Sequence, residues 1–358
     1  MIEKDLFVPG RLALIGEHSD WAGQYRLVNP DIEKGYGIVA IIEKGIYASV
    51  KKCDSFVVNA FSESINCMMD SDMLLEVAKS DNFFSYACGV AKYINNKYTV
   101  GGVEINVTKM DLPIKKGLSS SAAICVLVAR AFNVIYDLNL TAEDEIVIAY
   151  HGEHIALSSC GRLDQVCAYG SGLMSLEFDG DDVNVEKIDI IGKFYFVVAD
   201  LMSSKDTKKI FESLNIAYPF PHNDLECKLH EVLGVRTKEF AIEMIASLRN
   251  GKAAELGELL TNYQIIFDEI TIKFCPSELT APKLHMVLDD ETVKKLSYGG
   301  KGVGSQGDGT VQILAKDFDS QKALIAYLNN ELNLEAYGMV IEPSCNHELM
   351  PLKKTIKF

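Results

Sequence analysis

Leu112-Pro113-Ile114-Lys115-Lys116-Gly117-Leu118-Ser119-Ser120-Ser121-Ala122-Ala123 joins a glycine turn, three hydroxyls and the start of an apolar run in one short window. Gly117 has no Cβ and can bring backbone close to a ligand, and the serines can cap a helix beginning near Ala122. The uncapped N–H groups and positive dipole end of such a helix face an anion. A serine hydroxyl is also a hard oxygen donor suited to a magnesium ion that bridges phosphates. From this window alone two readings stand: a phosphate cradle, and an ordinary serine N-cap before a buried helix.

Upstream, Pro9-Gly10-Arg11-Leu12-Ala13-Leu14-Ile15-Gly16-Glu17-His18-Ser19-Asp20-Trp21-Ala22-Gly23 carries a strand-like apolar run into a glycine, followed at once by Glu, His and Asp. Downstream, Gly152-Glu153-His154 precedes Cys160-Gly161-Arg162-Leu163-Asp164-Gln165, with Asp164 eleven positions after Glu153. Taken alone, Glu153 reads as a solvated helix residue and Asp164 as a loop residue capping a turn, because exposed carboxylates are common. A fourth segment, residues 297–310, is glycine-rich and leads into the apolar run 311–315. A plain turn between short strands is seldom so long or so rich in Ser and Thr.

Together these motifs resemble the GHMP kinase superfamily, which takes in galactokinase, homoserine kinase, mevalonate kinase and phosphomevalonate kinase. The first motif is most similar to that of galactokinases, with their Pro-Gly-Arg, Gly-Glu-His and Asp-aromatic pattern. Pro113 to Ala123 is similar, almost residue for residue, to the superfamily's Pro-x-x-x-Gly-Leu-Ser-Ser-Ser-Ala phosphate loop. The resemblance implies an α+β chain of two domains, an S5-like N-terminal domain over residues 1–200 and a ferredoxin-like C-terminal domain over 201–358, with the site in the cleft between them. It implies an ATP-dependent kinase that uses Mg2+ and phosphorylates the anomeric hydroxyl of a sugar. ATP is then expected on Gly117, Leu118, Ser119, Ser120, Ser121 and Ala122, with magnesium held by Ser121 or Ser120 and by Glu153. Asp164 is implied as the catalytic base, and Arg11 as the catalytic cation beside it that stabilises a developing alkoxide. Glu17, His18 and Asp20 are implied to bind sugar hydroxyls; for His18 a structural hydrogen bond is the rival reading. Lys115 and Lys116 read as loop residues, one of which could assist the phosphates. Residues 299–310 take a supporting role, since Ser305, Gln306 and Asp308 depart from the usual Gly-Ala-Gly-x-Gly-Gly pattern.

Two features pull away from galactose. Gly161 to Gly170 is more similar to the aspartate segments of uronate and heptose kinases, and residues 26–36 interrupt a run that galactokinases usually continue. Arg162 or Arg26, if it faced the substrate, could bind a carboxylate, as in glucuronate or mevalonate; the plainer alternative pairs each with a nearby acid. A uronate, heptose or mevalonate kinase of the same superfamily, a related decarboxylase, or a regulator that binds sugar and ATP without turnover therefore stays open.

Composition bounds the rest. A chain of 358 residues exceeds what one hydrophobic core usually serves, and 48% hydrophobic with 24% charged residues is the balance of a water-soluble protein. A net charge of −15 argues against nucleic acid as the main partner. No apolar run nears the roughly 20 residues of a membrane span. Met1-Ile2-Glu3-Lys4-Asp5 lacks the apolar stretch of a signal peptide, so a cytoplasmic monomer or homodimer without a membrane partner is expected. The nine cysteines are scattered without a CxxC pair and read as reduced, buried small hydrophobes rather than a zinc site. Strands are expected at 38–42, 46–51, 56–60, 103–107, 173–178, 183–188 and 194–200, and helices at 83–95, 122–136 and 143–158, the last after a Thr141 cap. From 205 to 260 the pattern is helical, and strands with a helix at 321–332 return after Leu296, which puts the domain boundary near Leu201.

Overall fold

The computed structural model describes residues 3–69, 72–112, 117–158, 160–343 and 353–358; Pro113, Ile114, Lys115 and Lys116 of the serine-rich motif lie outside the described residues. In chain order the described residues form β1 (Glu3–Ile15), α1 (Ser19–Ala22), β2 (Gly35–Cys53), β3 (Phe56–Ala60), β4 (Glu63–Cys67), α2 (Met73–Ala78), α3 (Ser85–Lys97), β5 (Gly102–Met110), α4 (Ser120–Tyr136), α5 (Ala142–Ile155), β6 (Gly172–Asp179), β7 (Asp182–Lys187) and β8 (Phe194–Asp200). There follow α6 (Thr207–Asn215), α7 (Asp224–Glu231), α8 (Thr237–Arg249), α9 (Ala253–Thr271), α10 (Pro276–Leu279), α11 (Pro282–Asp289), α12 (Glu291–Leu296), β9 (Ser297–Gly302), β10 (Thr310–Ala315), α13 (Phe318–Asn330), β11 (Glu335–Ile341) and β12 (Lys353–Lys357). The fold is α+β, as expected. The two strands expected at 38–42 and 46–51 are one: β2 runs through Gly45, whose N–H donates to Asp111 Oδ1 at 2.7 Å. Among the described residues no helix is long and apolar enough to cross a membrane.

The chain divides into two compact units, each assembled from two segments: residues 1–11 with 41–171, and 12–40 with 172–358. Residue 200 is the last of β8, which pairs with β10 and β11, so the segment just before the expected boundary stays with the C-terminal strands. β1 and β2 each run from one unit into the other.

In the first unit the sheet order is β2-β5-β3-β4. β5 is antiparallel to β2 and parallel to β3, and β4 returns antiparallel along β3. Phe56, Val58 and Ala60 are buried on alternate positions of β3, the period of two that a half-buried strand requires. Helices α3, α4 and α5 pack against one another, and α4 also packs on β5. The Ser119 side chain makes no capping bond to α4, yet the helix starts two residues earlier than expected, at Ser120. Burial accounts for this. Val126, Leu127, Val128 and Phe132 are fully buried, and at about 1.5–3 kcal/mol per side chain they outweigh the roughly 1 kcal/mol of a side-chain cap. α5 does carry its expected cap, a box in which Asp144 N donates to Thr141 Oγ1 at 3.2 Å and Thr141 N to Asp144 Oδ2 at 2.9 Å.

The second unit holds the antiparallel sheet β11-β8-β10-β9, with β10 buried along its whole length. Val197, Ala199, Val311 and Ile313 of the sheet meet Leu284 and Val287 of α11 and Leu324 and Leu328 of α13 in its core. The meander β6, β7, β12 belongs to the same unit, as does the turn at residues 16–23.

Candidate active site

In the first unit, Arg11 on β1 is the organising residue. Its side chain is 5% exposed. Nε donates to Asp164 Oδ1 at 3.0 Å, one terminal nitrogen donates to the same oxygen, and the other donates to the Gly117 carbonyl at 2.7 Å. The Arg11 N–H adds a bond to Leu118 O at 3.3 Å. One planar, permanently charged group thus fixes Asp164 against the start of the serine-rich turn. Arg130 of α4 holds the turn that follows Asp164: its Nε donates to Glu145 Oε2 at 2.9 Å, and a terminal nitrogen donates to Ala168 O at 2.6 Å. Gly117 and Ser119 both take left-handed backbone, with φ of +73° and +60°. Ser119 Oγ is buried without a partner among the described residues. Leu118 and Ala122 are fully buried.

Glu153 is placed by a glycine. A Cβ at Gly152 would strike the Val90 side chain and come within 2.5 Å of Val90 Cα, so only glycine lets α5 lie this close to α3. The next residue, Glu153, is 2% exposed, and its Oε2 accepts from Gln165 Nε2 at 3.0 Å. Burial first, then the charge of Asp164, pushes the Glu153 carboxyl up to about 7, against hydrogen bonds from Ser121, Gln165 and Cys160. A cation at this carboxylate would relieve that cost. Glu153 and Ser121 are hard oxygen donors in contact, which fits magnesium. Among the described residues no three His, Cys, Asp or Glu gather as a metal site. Magnesium held by one or two protein oxygens plus phosphates needs no such cluster.

In the second unit, Gly16 (φ +107°) turns the chain out of β1, and a Cβ there would collide with Tyr36 O and Gly37 Cα. Glu17, His18 and Asp20 follow and are all buried. Ser19 pins the turn by donating from Oγ to Leu233 O at 2.6 Å and accepting from Tyr36 N at 2.9 Å. Glu17 Oε1 accepts from Lys301 Nζ at 2.8 Å, whereas Oε2 is buried without a partner among the described residues. Trp21 Nε1 donates to His18 Nδ1 at 3.1 Å, which leaves Nε2 as the protonated nitrogen, 3.3 Å from Ser305 O. Burial lowers His18 to about 4, so the ring is neutral near pH 7. With both nitrogens engaged by protein, the geometry favours the structural reading of His18. Arg26 donates to Asp179 Oδ1 at 2.7 Å and to Pro30 O at 3.0 Å, the plainer of its two readings. Arg162, in the first unit, is 1% exposed.

The glycine-rich segment forms β9, β10 and the loop between them. Its unusual residues have local work. Asp308 Oδ1 accepts from the N–H groups of Lys283 and Leu284, capping α11 from a distance in sequence. Lys205 Nζ donates to Val303 O at 3.1 Å and Gln306 O at 2.7 Å, clamping the loop. Lys301, absent from the residues singled out in the sequence, is fully buried. The signal that could have flagged it is a lone basic side chain among the glycines that lead into an apolar run.

Residues 85–172 match the family of GHMP kinases N terminal domain. The chain is 25% identical to the galactokinase of Thermotoga petrophila over 326 residues, 86% of this chain and 88% of that one. It spans less than half the length of some other curated galactokinases that it matches. Its fold is similar to that of the Lactococcus lactis galactokinase crystallised with galactose, with a TM-score of 0.71 and 18% identity, covering 97% of this chain and 95% of that one. It is similar to the same degree to the mevalonate kinase of Methanococcus jannaschii, with a TM-score of 0.70 and 18% identity, covering 95% of this chain and 99% of that one.

Proposed function

We propose that this chain, a galactokinase-like member of the GHMP kinase superfamily, is an ATP-dependent kinase that phosphorylates the anomeric hydroxyl of a sugar, with galactose as the reference acceptor. The observation that carries the reading is the Arg11 guanidinium, which bonds Asp164 and the Gly117 carbonyl together. It ties a proton-accepting carboxylate to the turn read as a phosphate cradle. Asp164 receives the proton of the acceptor hydroxyl as that oxygen attacks the γ-phosphorus; the new O–P bond forms, the bond to the β–γ bridging oxygen breaks, and ADP leaves. Arg11 holds the carboxylate in place, and its charge stabilises the alkoxide character of the attacking oxygen. Ser119, Ser120 and Ser121, with the backbone N–H groups at the start of α4, hold the phosphates. Glu153 and Ser121 offer oxygens to magnesium, which when bound neutralises phosphate charge. Glu17 and Asp20 are assigned to the remaining sugar hydroxyls, and His18 to holding them in place.

Coupled ADP release tests this across galactose, arabinose, mannose, glucuronate, a heptose phosphate and mevalonate, with Asp164→Asn as the control. Turnover of a neutral sugar, reduced about hundredfold or more in the variant, is the expected result. Turnover of glucuronate or mevalonate instead would move the acceptor to a carboxylate class, with Arg162 the cation to examine next. Silence on every acceptor with ATP binding intact removes these acceptors and leaves either an acceptor outside the panel or a regulator that binds without turnover.

A further inference from the structure

We infer that Lys301 is a positioning residue that holds Glu17 as a hydroxyl acceptor, so that the ligand of this site is a neutral polyol donating a hydroxyl to Glu17 Oε2. The choice of ligand rests on the kinase reading above. Lys301 lies in β9 with its side chain 0% exposed, and a fully buried ammonium is costly unless paired. Its Nζ donates to Glu17 Oε1 at 2.8 Å and to Gly302 O at 2.7 Å, which spends two of its three N–H groups. The strand beneath it is anchored from α9: Gly302 N donates to Gln264 Oε1 at 2.7 Å, and Gln264 Nε2 donates to Asp268 Oδ1 at 2.8 Å. Glu17 approaches from the Gly16 turn, with its side chain 5% exposed.

The two carboxylate oxygens therefore differ. Oε1 accepts from the ammonium, and Oε2 is buried without a partner among the described residues. An unfilled buried acceptor costs about 1–3 kcal/mol, which a ligand donor removes. A carboxylate only accepts, so the incoming group must carry a proton on oxygen or nitrogen. A ligand carboxylate meets repulsion there, and an ammonium meets the charge of Lys301 already in place. A sugar hydroxyl meets neither.

The test compares Lys301→Met and the neutral apolar pair Glu17→Leu/Lys301→Met, which leaves no acceptor at position 17, with the parent, using galactose and its monodeoxy analogues, or the same series for whichever panel sugar is turned over. In the parent, one analogue, lacking the hydroxyl that bonds Oε2, should have a KM about tenfold or more above that of the sugar. In both variants that gap should close to within about threefold, while KM for ATP stays within about twofold and thermal unfolding of the neutral pair stays near the parent's. A gap that survives in the neutral pair overturns the inference even if Lys301→Met does not fold, and leaves the kinase reading standing. If the parent turns over nothing but binds a sugar, the kinase reading fails and the same gap is read in Kd. If no sugar binds, both fail.

Discussion

Glu153 is a carboxyl in surroundings that favour its protonated form, and this gives it two opposed roles that one substitution separates. Unfolded, a glutamate titrates near 4.3; folded, Glu153 titrates at about 7. Between those values the native state binds more protons than the unfolded state, so its contribution falls as pH rises through the window and is fully lost above about 7. The cost there is on the order of 3 kcal/mol. Glu153→Gln should therefore stabilise the ligand-free protein at pH 8 by about that amount and leave it unchanged at pH 4, measured by urea unfolding. Added magnesium and ADP should stabilise the parent more than the variant, because the variant has lost its anionic oxygen. Equal urea midpoints for parent and variant at pH 8 would dismiss the buried-acid account. His18 carries the opposite slope: lowered to about 4, it contributes stability that is fully present above its unfolded value near 6.5 and is lost as pH falls toward 4. At this scale the sequence spoke through motifs. Arg11 and Asp164 are 153 positions apart, and their meeting was expected only because both lie in segments that resemble a family. Glu17 and Lys301 are 284 positions apart, and no local pattern signals their pairing.

Among the elements, α5 is the one whose placement decides the chemistry, and its contact with α3 rests on Gly152. Adding one methyl at Gly152 forces Cβ against Val90 backbone, which has no flexible end to swing away. Gly152→Ala should cost about 1–3 kcal/mol by overpacking, and should lower the response to magnesium and ADP by moving Glu153. Thermal unfolding with and without ligand checks both; unchanged ligand response would separate the glycine from the site. Asp308 gives a second case, a loop carboxylate on the first turn of α11. Asp308→Ala should destabilise by about 1 kcal/mol. Elements with strong local signals were legible: β7 alternates, β8 is a short run of apolar residues, and Thr141 announces α5. β2 was read as two strands because a glycine punctuates it, and the four-residue α1 is too short for a periodicity to form. The cap role of Asp308 depends on α11 being next to it, which the residues around position 308 do not encode.

At the scale of the whole molecule, chain connectivity sets an expectation about cooperativity. The chain passes between the units at 11/12, 40/41 and 171/172, and the first two of these points lie inside β1 and β2. A single cut near residue 201 was the natural inference from the change of pattern, because local periodicity names an element without saying which sheet it joins. Unfolding either unit alone would break two strands in mid-run, so one coupled transition is expected. The sequence supplies its own probe: Trp21, the sole tryptophan, is buried in the second unit against Phe211 and Tyr218. The residues proposed to hold the nucleotide, Ser119 to Ser121 and Glu153, are in the first unit. Magnesium with ADP at about a hundredfold excess over Kd should stabilise the native state by about 2.7 kcal/mol, or about 4 °C for a chain of this size. The tryptophan fluorescence transition should move by that amount together with the far-ultraviolet ellipticity. A tryptophan transition that stays in place while ellipticity shifts would show that the units unfold separately, and that strand continuity through β1 and β2 does not couple them.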